Sequence, residues 1–463
     1  MLEGVFMVSM VAAGGAMQAP PAGLPDPSAT PLQVDTQADP VLALGRRQAS
    51  WASFRAALAA AINRHPGLTE YSSGEDEARA AVRQARQQQL PSADLGVTSY
   101  RVIARDFSND PQNIVERSRP SQRTDLTASV TQTVFDFWAG ESRVRAASAR
   151  LRAASADVES VADQIALNTV AAWYDLYGYR ALLDLTTAYR SGLDDLRAAV
   201  RERIRRGASA EGDLAIVDSS IARAETRLAQ YQRQLANAAA RYTASTGLPA
   251  PAAAERAPAP PMPFANQAEV IDAAGDVSAV RSAEANAVAA RQEARAANAD
   301  RLPQITAGVD AGRYGVFEFD RDYDIRGRLT LRQRLGGGVE ARVAQFDARA
   351  RSADARAMRT REEAVRDASI AWTDVQALEA QRSALEAAYV AARRSRDVLA
   401  ARFQAARGTL FDVSTAENNF FDSATAYIQG LTELDAARYV LLSRTGRLLS
   451  ILDIATDRLG RGD

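Results

Sequence analysis

Apolar side chains recur at three-, four- and seven-residue steps along two long segments of the chain. Val161 and Ile165 belong to this pattern in the first segment, and Val365 and Trp372 belong to it in the second. This spacing places the apolar residues on one face of an α-helix. Both segments are rich in Ala, Arg, Glu, Gln and Leu, which favour helices. The pattern predicts long amphipathic helices, the first from about residue 140 to residue 206.

Four shorter segments alternate apolar and polar residues, which is typical of two-faced β-strands. The predicted strands are about 92–103, 123–135, 304–316 and 323–335. One face of the last predicted strand carries four arginines, Arg326, Arg328, Arg332 and Arg334. Strands of this kind must pair with others to be stable. A globular β-subdomain capped by helices meets this need, and so does a twelve-stranded membrane barrel built from three chains.

The two halves of the chain resemble each other. No proline occurs between Pro120 and Pro249 or after Pro303, and the segment 249–266 is rich in Pro and Ala. Ala172-Trp173, Asp213 and Thr246-Gly247 match Ala371-Trp372, Asp412 and Thr445-Gly446 at one constant separation. The sequence therefore predicts two tandem repeats of helix, strand, strand, long helix and helix. The predicted parts are repeat 1 at 49–248 with a helical hairpin at about 138–247, a linker at 249–266, and repeat 2 at 267–452 with a hairpin at about 338–450.

The chain ends differ from the repeats in composition. Residues 1–19 include an apolar stretch of signal-peptide length without a basic start, which indicates either an incomplete secretory signal or an apolar tail. Residues 20–48 contain six prolines and several aspartates, a composition that predicts a disordered leader. Residues 453–463 form a predicted C-terminal tail.

The composition argues against an enzyme. All 56 basic residues are arginines, and the chain has no Cys and one His. These absences exclude Walker-type and Schiff-base lysines, thiol nucleophiles and zinc clusters. His65 precedes Pro66 and is interpreted as a helix boundary rather than a catalytic base. The net charge of −1 gives no basic footprint for nucleic acid, and no run of 18 apolar residues predicts a membrane helix.

The order of these motifs resembles that of the TolC family of outer-membrane channels over residues 50–452. The likeness is carried by Leu90-Pro91 and Leu302-Pro303 before strands, by residues 132–136 and 333–338 after strands, by the Ala-Trp pairs and by residues 444–448. The resemblance implies a homotrimer with a twelve-stranded barrel in outer-membrane lipid and a long α-helical tunnel in the periplasm of a Gram-negative bacterium. It also implies no cofactor and two partners: a periplasmic adaptor, or membrane fusion protein, and an inner-membrane pump of the ABC or RND type. No metal site is predicted.

The same resemblance assigns roles to the turns between paired helices. Asp213 and Asp412 match the acidic gate positions of the family, and Thr415 stands where a second acidic residue is expected. The adaptor-contacting turns correspond to Arg206-Gly207 and Arg407-Gly408. The Tyr and Arg that tie the second turn closed in the family have no counterpart near Gly408.

Several alternatives remain open at the level of the sequence. Asp213 and Asp412 suit capping of the helices that follow them, with or without a gating role. The strand arginines indicate either selection of anionic cargo or a solvated interior without selectivity. The cargo is either protein, through type I secretion, or small molecules, through efflux. A soluble coiled-coil scaffold or periplasmic adaptor is the alternative of a different class.

Overall fold

The computed structural model describes residues 23–28, 30–108, 110–318, 322–405 and 407–454, which form helices and one β-sheet. The predicted signal segment 1–19 and residues 455–463 of the predicted tail lie outside these ranges. Both halves follow the order helix, strand, strand, long helix, helix. The predicted fold class and its internal repeat are therefore confirmed.

The helices fall into corresponding sets in the two repeats. The helices before and within repeat 1 are α1 (Pro40–Leu44), α2 (Trp51–Arg64), α3 (Pro66–Gln87), α4 (Ile114–Ser118), α5 (Ala139–Arg205) and α6 (Glu211–Thr246). Those of repeat 2 are α7 (Gln267–Ala274), α8 (Ser278–Ala299), α9 (Val339–Gln404), α10 (Leu410–Arg444) and α11 (Leu448–Ile451). A short 3-10 turn, Pro111–Asn113, precedes α4. Among these elements, α5 and α9 have 67 and 66 residues, far more than the roughly 11 of an average helix.

The four strands form a single antiparallel sheet. They are β1 (Ser92–Arg101), β2 (Gln122–Phe135), β3 (Gln304–Arg313) and β4 (Tyr323–Arg332), and their order in the sheet is β1-β2-β3-β4. β2 and β3 come from different repeats and pair from Leu126↔Arg313 to Phe135↔Ile305. The sheet thus joins the two repeats, and β1 and β4 form its edges.

The chain divides into two compact units, each assembled from three chain segments. Unit 1 comprises 1–58, 168–261 and 374–439, and unit 2 comprises 59–167, 262–373 and 440–463. Unit 1 has a core of large side chains, including Tyr389, Phe420 and Phe421, all at most 1% exposed. Unit 2 contains the sheet, and many of its buried helix positions are alanines, for example Ala149 and Ala287. Such small side chains let neighbouring helix backbones approach closely.

The leader differs from the disordered segment expected over 20–48. Asp39 is almost fully buried in unit 1 and accepts hydrogen bonds from the backbone N–H groups of Val41 and Leu42 at the start of α1. It also accepts a hydrogen bond from Tyr389 and forms an ion pair with Arg393, both on α9. Proline content predicted disorder, but one buried carboxylate with several donors holds the described leader on α9.

The linker between the repeats is likewise held in place. Arg256 is 4% exposed and donates to both carboxylate oxygens of Asp435, at 2.5 and 2.8 Å. It also donates to the backbone carbonyl of Gly45 in the leader. Near it, Tyr439 donates to the carbonyl of Pro258 at 2.7 Å. One buried arginine therefore connects the leader, the linker and α10 within unit 1.

No helix in the described part of the chain is both long and apolar enough to cross a membrane.

Candidate functional site

The turn between α5 and α6 contains the first predicted gate residue. Helix α5 ends with backbone bonds from Ala208 to the Arg203 carbonyl and from Gly207 to the Ile204 carbonyl, at 2.8 and 2.9 Å. This arrangement requires a left-handed residue, and Gly207 supplies it with φ +71°. Asp213 then accepts a hydrogen bond from the backbone N–H of Ala210 at 3.3 Å. The Asp213 carboxylate caps the start of α6.

The turn between α9 and α10 shares two features with the first turn, a backbone bond back to the end of the long helix and a capping aspartate. Arg407 donates from its backbone to the Arg402 carbonyl at 2.9 Å. Thr409 and Asp412 cap α10 reciprocally: the Asp412 carboxylate accepts from the Thr409 hydroxyl at 2.7 Å, and the Asp412 N–H donates to that hydroxyl oxygen at 3.2 Å. Thr415 lies one turn further along α10 and is exposed. Capping is therefore a role of both aspartates, whether or not they also act on a pore.

The predicted turn arginines lie at the surface. Arg206 is exposed and pairs with Glu202 of its own helix, with Nε 2.8 Å from a carboxylate oxygen. Arg407 is exposed as well, and Gly408 beside it is partly buried. Both turns thus carry an arginine side chain that is accessible to solvent.

Arg203 makes a contact that the sequence did not predict. Its guanidinium lies over the ring of Phe403, with Cζ 4.3 Å from the centroid, and donates to the Phe403 carbonyl at 2.9 Å. This contact ties the end of α5 to the end of α9, next to the two turns. Arg203 and Phe403 are not matched positions of the two repeats, because the constant separation pairs Arg203 with Arg402. The sequence therefore carried no signal for this contact.

One face of the sheet is apolar and exposed. Leu95 on β1 is 82% exposed, and Leu329 on β4 is 76% exposed. Val97, Val130 and Leu331 on the same face are also exposed. Exposed apolar area of this extent marks a surface that meets another molecule or a lipid phase.

The opposite face of the sheet is polar, and its arginines are partly matched by acids. Arg326 pairs with Asp324 on the same strand, and Arg328 lies 3.5 Å from Asp310 on β3. Arg332 is the last residue of β4, opposite Gln304. Arg334 was predicted on this strand, but β4 ends two residues earlier, so only three of the four arginines share the strand face.

A partly buried carboxyl group on α5 lies outside all predicted sites. Burial raises the pKa of Asp163 to about 6, while the Ser443 hydroxyl, which donates to it, and nearby Arg444 lower that pKa.

The described residues contain no group of three or more His, Asp or Glu side chains that could hold a metal ion.

The sequence model of one protein family matches residues 37–248 and 272–447, which is most of the chain. That family is described as outer membrane efflux protein. The chain belongs to this family. Membership in the outer membrane efflux proteins identifies a transport protein of the outer membrane of Gram-negative bacteria. The family is a family of channels and not of enzymes.

Solved structures of outer-membrane channels have the same fold as this efflux protein. The outer membrane protein VceC of Vibrio cholerae matches with a TM-score of 0.77 and 19% identity over 85% of this chain and 96% of VceC. The CmeC outer membrane channel of Campylobacter jejuni matches at 0.73 and 14% identity over 86% and 87% of the two chains. The MtrE outer membrane channel of Neisseria gonorrhoeae, in an open state, matches at 0.72 and 16% identity over 85% and 89%. No curated protein sequence matches the chain.

Proposed function

We propose that three copies of the chain form a passive exit duct through the outer membrane. The observation that carries this proposal is the sheet, which has an exposed apolar face, a polar face and edges at β1 and β4. Barrels need about eight strands or more to close. Twelve strands from three copies close a barrel whose apolar face contacts lipid and whose polar face lines water.

The long helices supply the second part of the proposed duct, a tunnel in the periplasm. Its narrowest point is proposed at the two helical turns, where three copies each of Asp213, Asp412 and Thr415 approach one another. A ring of carboxylates binds cations and opposes the passage of anions. A capping role does not prevent a gating role, because the capping hydrogen bonds of Asp213 and Asp412 are accepted by one oxygen of each carboxylate, Oδ2.

The proposed partners are those that the resemblance to the TolC family implies, and the exposure of the turns supports the proposed adaptor contact. A periplasmic adaptor contacts the exposed turns through Arg206-Gly207 and Arg407-Gly408, and an inner-membrane pump of the ABC or RND type delivers the cargo. The outer-membrane channels that share this fold support the channel, and experiment decides between protein and small-molecule cargo.

The pore arginines support a moderate rather than a strong preference for anions. Two of the three arginines on the polar face of β4 already pair with Asp324 and Asp310. The net positive charge of this face is therefore smaller than the count of arginines indicates.

Single-channel conductance of the detergent-purified protein in a planar bilayer tests the proposal. We expect steady pores that divalent cations block from the periplasmic side. Asp213→Asn together with Asp412→Asn should abolish the block, because Asn keeps the oxygen that caps each helix and loses the charge. Asp195→Asn on α5, an exposed position outside both turns, is the matched control and should leave the block unchanged.

Two results would contradict the proposal in different ways. If the double variant conducts and its cation block is unchanged, the proposed acidic gate is wrong and the proposed duct is retained. A chain that stays monodisperse without detergent and never conducts is instead a soluble coiled-coil scaffold or adaptor.

A further inference from the structure

The leader crosses both long helices of unit 1 and reaches toward the end of α9. The backbone carbonyl of Pro25 accepts a hydrogen bond from Arg396 of α9 at 2.7 Å. Arg396 precedes Gln404, the last residue of α9, by eight residues, which is about 12 Å at 1.5 Å per residue. Further along the leader, the carbonyl of Leu44 accepts a hydrogen bond from Tyr177 of α5 at 3.1 Å. Residues 25–28 and 30–45 therefore form a strap that contacts α5 and α9.

Asp39 is the main anchor of the strap on α9. Its two carboxylate oxygens lie 3.0 and 2.9 Å from the Tyr389 hydroxyl, which donates to them, and Arg393 forms an ion pair with the same carboxylate. Both Asp39 and Tyr389 are buried. Uncoupling a buried charge from its partners is far more costly than breaking an exposed contact. Asp39 thus holds the strap firmly on α9.

Arg396 connects the strap to α10 as well as to α9. Its Cζ lies 4.5 Å from the centroid of the Phe420 ring on α10, and its Nη1 lies 3.7 Å from Glu417 of the same helix. Its Nε lies 2.8 Å from the buried Asp397 of α9. Arg396 is itself buried. The Pro25 carbonyl is the partner that the strap adds to this set.

The apolar residues of the strap bind the same group of helices. Val41 and Leu42 are buried and belong to one hydrophobic core with Leu185 of α5. Gly45 lies so close to α10 that an added Cβ would stand 2.8 Å from the Tyr427 hydroxyl oxygen. The strap therefore contacts α5 of the first hairpin and both helices of the second.

The strap lies over the helices rather than between them. Residues 32, 33 and 35–38 are exposed along its outer side. The helices beneath also contact one another directly, for example through Tyr189 of α5 and Phe421 of α10, whose rings stack with centroids 4.3 Å apart. Release of the strap thus leaves direct contacts between the two hairpins in place.

A segment bound to two elements opposes their separation. If α9 and α10 move away from α5, the strap must give up either its contacts with Tyr177 and Leu185 or those of Asp39 with α9. We propose that the strap restrains the second hairpin against the first and so opposes opening of the helical tip. Its release then shifts the population toward the open arrangement. This inference rests on the proposed function, because it requires the hairpins to form a gated tip.

Open probability in planar bilayers tests the restraint. Asp39→Asn keeps an oxygen that caps α1 and loses the ion pair with Arg393, so open probability should rise about tenfold or more. Tyr389→Phe keeps the ring and loses the hydroxyl donor, and it should give a smaller, several-fold rise. Asp35→Asn is the matched control, because Asp35 is exposed and accepts from two backbone N–H groups within the leader. It should leave open probability unchanged.

Limited proteolysis measures release of the strap without any need for conductance. Trypsin cleaves this lysine-free chain after arginine, and Arg46 is its first basic residue. Leu42 and Ala49 on either side are buried, so cleavage there requires local release, whose population sets the rate. The fragment that ends at Arg46 should appear about tenfold faster from Asp39→Asn. Asp35→Asn should release it at the wild-type rate.

The two readouts separate the restraint from the duct. Faster release from Asp39→Asn in channels whose open probability equals that of the wild type would overturn the restraint and leave the duct standing. Equal release rates for the wild type, Asp39→Asn and Tyr389→Phe would also overturn it, because Asp39 would then not hold the strap. A protein that shows the expected proteolysis but never conducts contradicts the duct and, with it, the restraint on its tip.

Discussion

At the scale of single residues, the stability of unit 1 depends on buried charged side chains whose pairing the sequence did not predict. Arg256 and Asp435 form a buried bidentate pair, and Asp39 collects donors from α1 and α9. Burial of a charge is costly unless a partner offsets it, so each member depends on the other. Arg241 and Asp175 form a more exposed pair, in which one Arg241 nitrogen lies 2.7 Å from one Asp175 oxygen.

Replacement of Arg256 by Met should destabilise the protein strongly. The variant leaves Asp435 buried without its bidentate partner, which costs about 3–5 kcal/mol. Arg241→Met, the exposed control, should cost about 1 kcal/mol or less. The measurement is urea-induced unfolding in detergent. Addition of Asp435→Leu to Arg256→Met should recover part of the loss, and equal stability of the single and double variants would show that the pair is not coupled.

Asp163 should make stability depend on pH. Its folded pKa of about 6 lies above the ordinary value of 3.8, so the folded state holds this proton more tightly. The stabilisation is complete below about pH 4 and is lost as the pH rises through 6. Asp163→Asn should therefore raise the free energy of unfolding at pH 7.5 by up to about 3 kcal/mol and have little effect at pH 4. Asp276→Asn, at an exposed position, is the control, and an Asp163→Asn gain that is equal at both pH values would contradict the assignment.

At the scale of elements, the two helical hairpins end in turns that share a capping aspartate and are joined by Arg203. The ring contact and the hydrogen bond to the Phe403 carbonyl connect α5 to α9. Each contact is worth about 1 kcal/mol. Movement of one hairpin away from the other must break both of them.

Arg203→Met should loosen the tip of the proposed duct. The variant keeps the apolar stem and loses both contacts, which corresponds to roughly a tenfold or larger shift toward open states, at about 1.4 kcal/mol per factor of ten. Open probability in planar bilayers measures the shift. Arg205→Met, at an exposed arginine of the same helix end, should have no such effect. An unchanged open probability in Arg203→Met would show that this contact does not hold the tip.

The sequence was informative where structure follows local periodicity. The 3.6-residue repeat predicted α5 and α9, and alternation predicted the four strands, because burial of one face dictates both patterns. The docking of the leader was missed, since proline content says nothing about a single buried Asp39. The register shift between Thr133 and Phe135 of β2 was missed as well, because one extra residue changes the face without changing the composition of the strand.

At the scale of the whole molecule, the sheet determines where the chain resides. In water its exposed apolar face favours aggregation, whereas in a lipid bilayer the same face makes favourable contacts with acyl chains. Outer-membrane residence of the family is consistent with this face.

Leu329→Arg should prevent stable membrane insertion. An arginine on the lipid-facing side of a barrel strand costs about 2–4 kcal/mol near the middle of the bilayer. Thr330→Arg places the same side chain on the polar face of the same strand and should be tolerated. Flotation of each variant with lipid vesicles measures insertion. Equal flotation of the two variants would mean that the apolar face of β4 does not meet lipid.

The hydrogen bond between Tyr389 and Asp39 also bears on the order in which contacts form during synthesis. The two residues are 350 positions apart in the chain. During synthesis the 350 positions that separate the two residues must be added before Asp39 can reach its binding site on α9. Contacts between such distant residues form late in folding. Closing the large loop between them costs conformational entropy before the contact itself stabilises the chain. The leader therefore cannot make this contact until α9 has been synthesised. A chain truncated before α9 lacks the residues that bind Asp39. Formation of this contact therefore requires synthesis of the chain through Tyr389 of α9.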